Sequence, residues 1–470
     1  MLADYLSMQL AGEKDSDRVV WSLFSGAMGL DIGLTKAGLA PSLAIDNDPA
    51  CEATARANPW LHAKYVKADI RNLTASDIRR LGNHEGEIFL LVGGPPCQAF
   101  SPGGNREGLK DPRGNLIYEY FRIVQDIRPK FFVFENVANL ATAALSHRPI
   151  DQRPGKHWSL RTYEKDRGVT LDSTIVPMRD EELAGSALRH LLSEIANLKY
   201  RIIFGVLDAA DYGACQHRLR FVMIGARDGL PPRLPTPTHG NGPGLPPLTT
   251  LRDTIWDIQD NPGPYYNYTP KFAELFRQVP PGGYWKDLPK ELHREALGNA
   301  YDSGGGKTGF FRRLSWDSPA PTVTGKPNRK GSAMCHPEAV RSLSVKECGR
   351  IQGFPDNWII AGSTDAQFRQ IGNAVPVHLG EAIGRCLLSG ELATDGELDP
   401  EVMLQNAIKR LRASGRNKTS KKKQAEARTS LQTLPAARPD RQPRRGRRSG
   451  GGDQQPPGAA RGLVTGLASK

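Results

Sequence analysis

Residues 19–39 read VVWSLFSGAMGLDIGLTKAGL. The first six are almost wholly apolar and end at a glycine-containing turn, which predicts a buried strand. LDIGLTKAGL then places apolar side chains at helical spacing. A buried strand that turns through glycines into a helix is the opening unit of an α/β sheet. The alternation continues downstream. SLAID (42–46), YVKADI (65–70), EIFLLVGG (87–94) and KFFVFENV (130–137) read as further strands. So do YRIIFGVLDA (200–209) and RFVMIGA (220–226). PACEATARAN (49–58) starts with a proline suited to a first helical turn. NLIYEYFRIVQDI (115–127) and ALRHLLSEIANL (187–198) are amphipathic. Strands alternating with helices, several apolar throughout, predict a parallel or mostly parallel sheet covered on both faces.

Two segments break this rhythm. Residues 141–180 are polar and irregular and read as a surface insertion in a first catalytic part, 1–227. Residues 228–340 are rich in Pro, Gly and Tyr and read as a separate module. Helical patterning resumes in SVKECGRIQGF (344–354) and VHLGEAIGRCLL (377–388), within a returning part, 341–395. Residues 396–470 read as a basic, disordered tail.

The chain has 470 residues and a net charge of +13, from 63 basic and 50 acidic residues. Residues 401–470 hold 17 Lys and Arg against 4 Asp and Glu, so the preceding 400 residues carry 46 of each. The basic excess belongs to the tail, and pI alone does not argue for nucleic-acid binding by the body. No run approaches the roughly 20 apolar residues that span a bilayer, and the first residues lack a signal-peptide pattern. A cytoplasmic protein without a membrane partner is expected. The six cysteines form no Cys-x-x-Cys pair and match no zinc ligand set, so reduced thiols and no metal are expected.

The turn FSGAMGLD (24–31) has Gly26 and Gly29, which let a ligand approach the backbone at the carboxyl edge of the sheet. The second strand ends in Asp46, placed to take both hydroxyls of a ribose. The third is followed by Asp69-Ile70, an acid for an adenine amino group beside an apolar side chain for the ring. Asp46 and Asp69 could equally cap the next helices. Together with the glycines they favour a nucleoside cofactor. Met28 stands where a dinucleotide fingerprint needs glycine, so a cofactor without a pyrophosphate, such as S-adenosylmethionine, fits better than NAD.

Cys97 lies in GGPPCQAFS (93–101), directly after a core strand. Pro95 and Pro96 cannot serve a sheet ladder, and their fixed torsions suit rigid presentation of the next side chain. Most lone cysteines are small buried hydrophobes; this setting favours a nucleophile. The Gly-rich stretch after it suits a loop that closes over a large substrate.

These blocks together resemble the bacterial-type DNA (cytosine-5)-methyltransferase family. The match runs, in order, through FSGAMGLD, AIDND, KADI, GGPPCQAFS, ENV, QHRLR, RSLSVKECGRIQGFP and QIGNAVP, from about residue 18 to 390. The resemblance implies a Rossmann-like S-adenosylmethionine-dependent methyltransferase fold with an inserted irregular target-recognition domain, here 228–340. It implies that Cys97 attacks carbon-6 of cytosine and that Glu135 serves the ring nitrogen. It implies that Arg218 holds the base carbonyl and Arg220 braces the glutamate. Phe24, Ser25, Gly26, Gly29, Leu30, Asp46, Asn47, Asp69, Ile70, Pro95, Leu116 and Asn373 would form the cofactor pocket. A cytosine inside a duplex must rotate out to be reached. Gln98 and Ser101 would then contact double-stranded DNA from the loop, and Arg312, Arg313, Lys326 and Arg329 from the module. The resemblance further implies a monomer, with a separately acting restriction endonuclease as a potential partner. An RNA cytosine methyltransferase of the same fold, a DNA-binding protein without activity and a nicotinamide oxidoreductase are the competing readings. Intact Cys97, Glu135 and Arg218 argue against the inactive one.

Overall fold

The computed structural model describes residues 18–96, 115–146, 179–302 and 307–416. The strands are β1 (Val20–Leu23), β2 (Leu43–Asp46), β3 (Lys64–Lys67), β4 (Leu90–Gly93), β5 (Phe131–Val137), β6 (Arg201–Asp208), β7 (Gln216–His217), β8 (Leu219–Ala226) and β9 (Ala320–Pro321). Seven of them form one sheet in the order β3-β2-β1-β4-β5-β8-β6. The pairs from β3 to β5 are parallel, and β8 runs antiparallel to both β5 and β6. The sheet is therefore mostly parallel, and β1 and β4 are buried along their whole length because helices cover both faces.

The first half alternates strand and helix: α1 (Gly29–Lys36), α2 (Pro49–Ala57), α3 (Ala75–Gly82), α4 (Asn115–Ile127) and α5 (Ser186–Ile195). Asp48 caps α2 by accepting from Ala50 N at 2.8 Å, with Pro49 in the first turn as the sequence suggested. The main core centres on Tyr120, Phe121, Phe132, Phe134, Phe204 and Phe221, whose rings meet edge-on or tilted.

The middle module has short helices α6 (Leu251–Ile255), α7 (Pro270–Arg277) and α8 (His293–Leu297). It builds its own cluster, with Tyr268 stacked on Phe276 at 4.3 Å and Phe311 fully buried beside them. Arg313, expected on DNA, instead donates to Val279 O at 3.1 Å, Pro337 O at 3.0 Å and Glu338 O at 2.8 Å. Arg312 is half-buried and donates twice to Thr308 O. Both guanidiniums staple loops that have no ladder to satisfy their carbonyls. All three side-chain nitrogens of Arg313 are engaged within the module in this way. Lys326 and Arg329 are exposed.

The chain returns through α9 (Val345–Ile351), α10 (Thr364–Asn373) and α11 (Val377–Leu388). The buried Arg341–Glu347 pair, bidentate at 2.8 Å, sits at this junction, with Glu347 also in the capping box of α9. α11 packs on α1 at glycine contacts. A Cβ on Gly33 would lie 2.3 Å from Val377 O, and one on Gly29 would lie 2.4 Å from Val375 O. Only glycine permits that approach, and it brings the QIGNAVP turn against the start of α1.

The first part of the expected disordered tail is structured. Pro400–Arg416 form a helix, α12, whose Met403, Leu404, Ala407 and Ile408 join the main core. It lies along the edge strand β6, where Phe204 N donates to Met403 Sδ at 3.2 Å. Most of the predicted 141–180 insertion, residues 147–178, lies outside the described residues.

Candidate active site

β1, β2 and the segment after β3 end at one edge of the sheet. Phe24 leaves β1 with φ 57°, Gly26 follows at 54° and Met28 at 66°. Positive φ favours glycine, so Met28 holds a conformation that costs a side-chain-bearing residue about 1 kcal/mol. Its side chain is buried in a second core cluster, away from the cavity described next. The turn is tied to β2 through Asp46, whose carboxylate accepts from Gly26 N at 2.9 Å and Asp48 N at 2.8 Å. Burial pushes the Asp46 pKa up, and these backbone donors pull against that.

A cavity of about 770 Å3 opens along this edge. Its wall includes Phe24, Ser25, Gly26, Gly29, Leu30, Asp46, Asn47, Asp69, Ile70, Pro95, Leu116 and Asn373. Every residue assigned to a cofactor by sequence thus faces one space. The same wall carries Glu135, Arg218 and Arg220. Asp69 caps the turn after it by accepting from Arg71 N, and it pairs with the Arg71 side chain at 2.5 Å. Arg71 holds its pKa below the usual carboxylate value.

Glu135 projects from β5 and is 7% exposed. In the antiparallel register Arg220 lies opposite Val137, two residues along, so Glu135 and Arg220 share a face as diagonal neighbours. Arg220 Nε meets Glu135 Oε1 at 2.8 Å. Burial raises the Glu135 pKa, and Arg220 and Arg218 lower it in part. Gly94 passes so close that a Cβ there would lie 2.8 Å from Glu135 Oε2. Asn136 Nδ2 donates to Pro95 O at 3.2 Å, fixing the strand exit.

Cys97, Gln98 and Ser101 lie outside the described residues. Pro96 is described and lines the cavity. Cys97 follows it directly in the sequence.

Arg218 behaves differently from Arg220. It is 1% exposed and donates to Val323 O at 2.8 Å, Gly372 O at 2.7 Å and Ala374 O at 2.9 Å. Gln216 accepts from Val323 N at 3.1 Å and donates to Gln352 Oε1 at 2.7 Å. QHRLR therefore locks the module strand β9, which pairs with β7, to the turn that carries Asn373. Thr322, Val323, Thr324 and Gly325 of the module close the cavity on that side.

Sequence reasoning missed Asp31 in this wall. It is fully buried in α1, neither carboxylate oxygen has a hydrogen-bond partner, and burial raises its pKa to about 6. An acid among Leu30, Ile32 and Leu34 was the available signal. It missed Gln216 and Thr322–Gly325 as well, because polar loop residues carry no periodicity.

The donor set suits a nucleoside cofactor with a charged end. Asp46 is braced at the ribose position, an added Cβ on Gly26 would meet nothing within 4 Å, and Asp31 is an orphaned carboxylate in the wall. No helix among the described residues is long and apolar enough to cross a membrane, and no group of His, Cys, Asp and Glu among them could hold a metal ion.

The family model of C-5 cytosine-specific DNA methylases matches residues 19–148 and 178–389. Type II methyltransferase M.Sau96I of Staphylococcus aureus is 34% identical over 380 residues, covering 80% of this chain and 76% of that protein. Type II methyltransferase M.PspPI of Psychrobacter sp. (strain TA137) is 34% identical over 391 residues, covering 81% of each. M.Eco47II of Escherichia coli is 33% identical and covers 78% of each. A crystal structure described as a DNA modification methyltransferase encoded within a prophage (E. coli) shares the fold, with a TM-score of 0.52 at 23% identity, covering 79% of this chain and 99% of that one. The chain belongs to the C-5 cytosine-specific DNA methylase family and is a DNA (cytosine-5) methyltransferase.

Proposed function

We propose that this enzyme methylates a flipped-out cytosine in a specific duplex sequence, through a covalent Cys97 adduct at carbon-6, with S-adenosylmethionine as donor. The observation that carries the reading is that one cavity joins the nucleoside-type wall to the Glu135–Arg220 pair and to the residue before Cys97. S-adenosylmethionine, when bound, supplies an electrophilic methyl group on a sulfonium. Phe24, Asp46 and Asp69 would hold its nucleoside.

The chain's own residues do the rest. Attack of the Cys97 thiolate on carbon-6 forms a C–S bond and moves charge onto the ring, making carbon-5 nucleophilic. Glu135, with its pKa raised by burial, carries a proton for the ring nitrogen. Arg220 holds Glu135 in place, and its remaining N–H donors can meet the base carbonyl. Arg218 has committed its guanidinium to three backbone carbonyls. Arg220 thus keeps the bracing role that the family pattern suggested, and the base carbonyl passes to it from Arg218. After methyl transfer, loss of the carbon-5 proton and expulsion of the thiolate restore the aromatic ring.

The curated relatives named above are Type II methyltransferases, and we propose the corresponding modification role, with a separate restriction endonuclease as companion. Lys326 and Arg329, exposed on the segment that follows the cavity-lining Thr322–Gly325, are the module's basic residues best placed to reach DNA. Base-resolution sequencing of a plasmid from cells expressing the chain tests the reading. C5-methylcytosine should appear at one sequence context, and be lost with Cys97→Ser while S-adenosylhomocysteine still binds. Unmodified plasmid, or methylation retained by Cys97→Ser, would refute it.

A further inference from the structure

Asp31 is a fully buried acid among the residues that line the cavity, and neither of its oxygens has a hydrogen bond of ordinary geometry. As an acid in the first turn of α1 it could act as a cap. The geometry rejects that role. The N-cap residue Met28 makes no side-chain cap, and its own N–H is taken by Ser25 O at 2.8 Å. Ser22 is the neighbouring side-chain donor, and its hydroxyl also accepts from Ser25 Oγ at 3.0 Å. Neither oxygen of Asp31 has a hydrogen bond of ordinary geometry. A carboxylate left this way costs the fold free energy, and such a cost persists where a ligand relieves it.

The chemistry of the missing partner follows. It must bring N–H donors, and a positive charge would suit it best. A sulfonium has charge but no N–H. An α-ammonium has both. Asp46 already occupies the ribose position, so the ammonium would come from the opposite end of a nucleoside–amino-acid ligand. Resting on the function proposed above, we infer that Asp31 binds the α-ammonium group of the methyl donor and so fixes the amino-acid end of that cofactor. Ser22 orients the carboxylate.

Titration calorimetry with two ligands tests this. S-adenosylhomocysteine retains the ammonium and cannot react. Its analogue with hydrogen in place of the amino group lacks only the partner in question. Asp31→Asn should weaken S-adenosylhomocysteine by about tenfold or more and change the analogue by less than about twofold. Equal losses for both ligands would make Asp31 structural and overturn the inference, as would no loss for either. Failure of wild-type protein to bind S-adenosylhomocysteine would instead overturn the functional reading itself.

Wild-type protein supplies a second readout that does not depend on the variant folding. Its preference for S-adenosylhomocysteine over the analogue should fall as pH drops below about 6, where Asp31 becomes neutral. Asp46 and Tyr65 are the titratable groups coupled to Asp31. Tyr65 stays neutral, its pKa pushed up by burial, and Asp46 meets the ribose that both ligands share, so its effect cancels. A preference constant from pH 5 to 8 would overturn the inference.

Discussion

Replacing Arg218 with methionine separates a scaffolding arginine from a catalytic one. The change keeps a long unbranched side chain and removes every donor. Three carbonyls then lose Arg218: Val323 O, Gly372 O and Ala374 O. Ala374 O retains Gln352 Nε2 at 3.2 Å, so two are stranded. Each buried, unpaired acceptor costs about 1–3 kcal/mol, which sums to roughly 2–6 kcal/mol. Methionine does not need the desolvation of a charge, and that offsets part of the loss. A net destabilisation of about 2–4 kcal/mol is expected, read by urea unfolding at pH 7.5. Asn373 sits between two of the anchored residues, so affinity for S-adenosylhomocysteine should fall as well. Arg220→Met provides the contrast: cofactor affinity near wild type, with single-turnover methyl transfer slowed by about 100-fold or more. If Arg218→Met kept wild-type stability and cofactor affinity while abolishing transfer, the assignment of these two arginines would be refuted.

Glu135→Gln should lower single-turnover methyl transfer by about 100- to 10,000-fold, because the amide cannot deliver the proton, with S-adenosylhomocysteine affinity within about twofold; a rate near wild type would remove Glu135 from the chemistry. Asp31→Asn should stabilise the ligand-free enzyme at neutral pH. The folded pKa of Asp31 is raised from 3.8 to about 6, so its contribution is lost as pH rises through 6, an effect of up to about 3 kcal/mol above that pH. Unfolding should show roughly twice the gain at pH 8 that it shows at pH 5, since the loss spans the interval from 3.8 to about 6, and an equal gain at both would contradict the sign. Gly33→Ala should destabilise by about 1–3 kcal/mol, since its Cβ would enter the backbone of α11. Thermal melting checks it, and a neutral result would mean that α1 and α11 are not held at this separation.

Much of the scaffold was legible because its signals are local. The runs VVWSLF, EIFLLVGG and KFFVFENV are mostly apolar, as strands covered on two faces must be. SVKECGRIQGF and VHLGEAIGRCLL mark helices that the structure places at Val345–Ile351 and Val377–Leu388. The tail misled because composition was averaged over residues 396–470. The apolar positions 403, 404, 407 and 408 have helical spacing, and the dense basic run further on hid them. The carbonyl contacts of Arg312 and Arg313 had no local signal: a basic side chain in an irregular loop reads the same whether it meets DNA or a backbone carbonyl.

By itself the sequence determined the alternation of strands and helices, the glycine turn after β1 and the chemical identity of Cys97, Glu135 and the two arginines. Those depend on residue type and short spacing. Only the tertiary structure decided that β8 runs antiparallel beside β5, which sets Arg220 against Glu135. It also decided that Arg218 faces the returning Gly372–Ala374 turn, and that Asp31 is buried in the cavity wall with no hydrogen bond of ordinary geometry to either oxygen. Strand direction and the target of a long side chain depend on neighbours far away in sequence, and no local pattern encodes them.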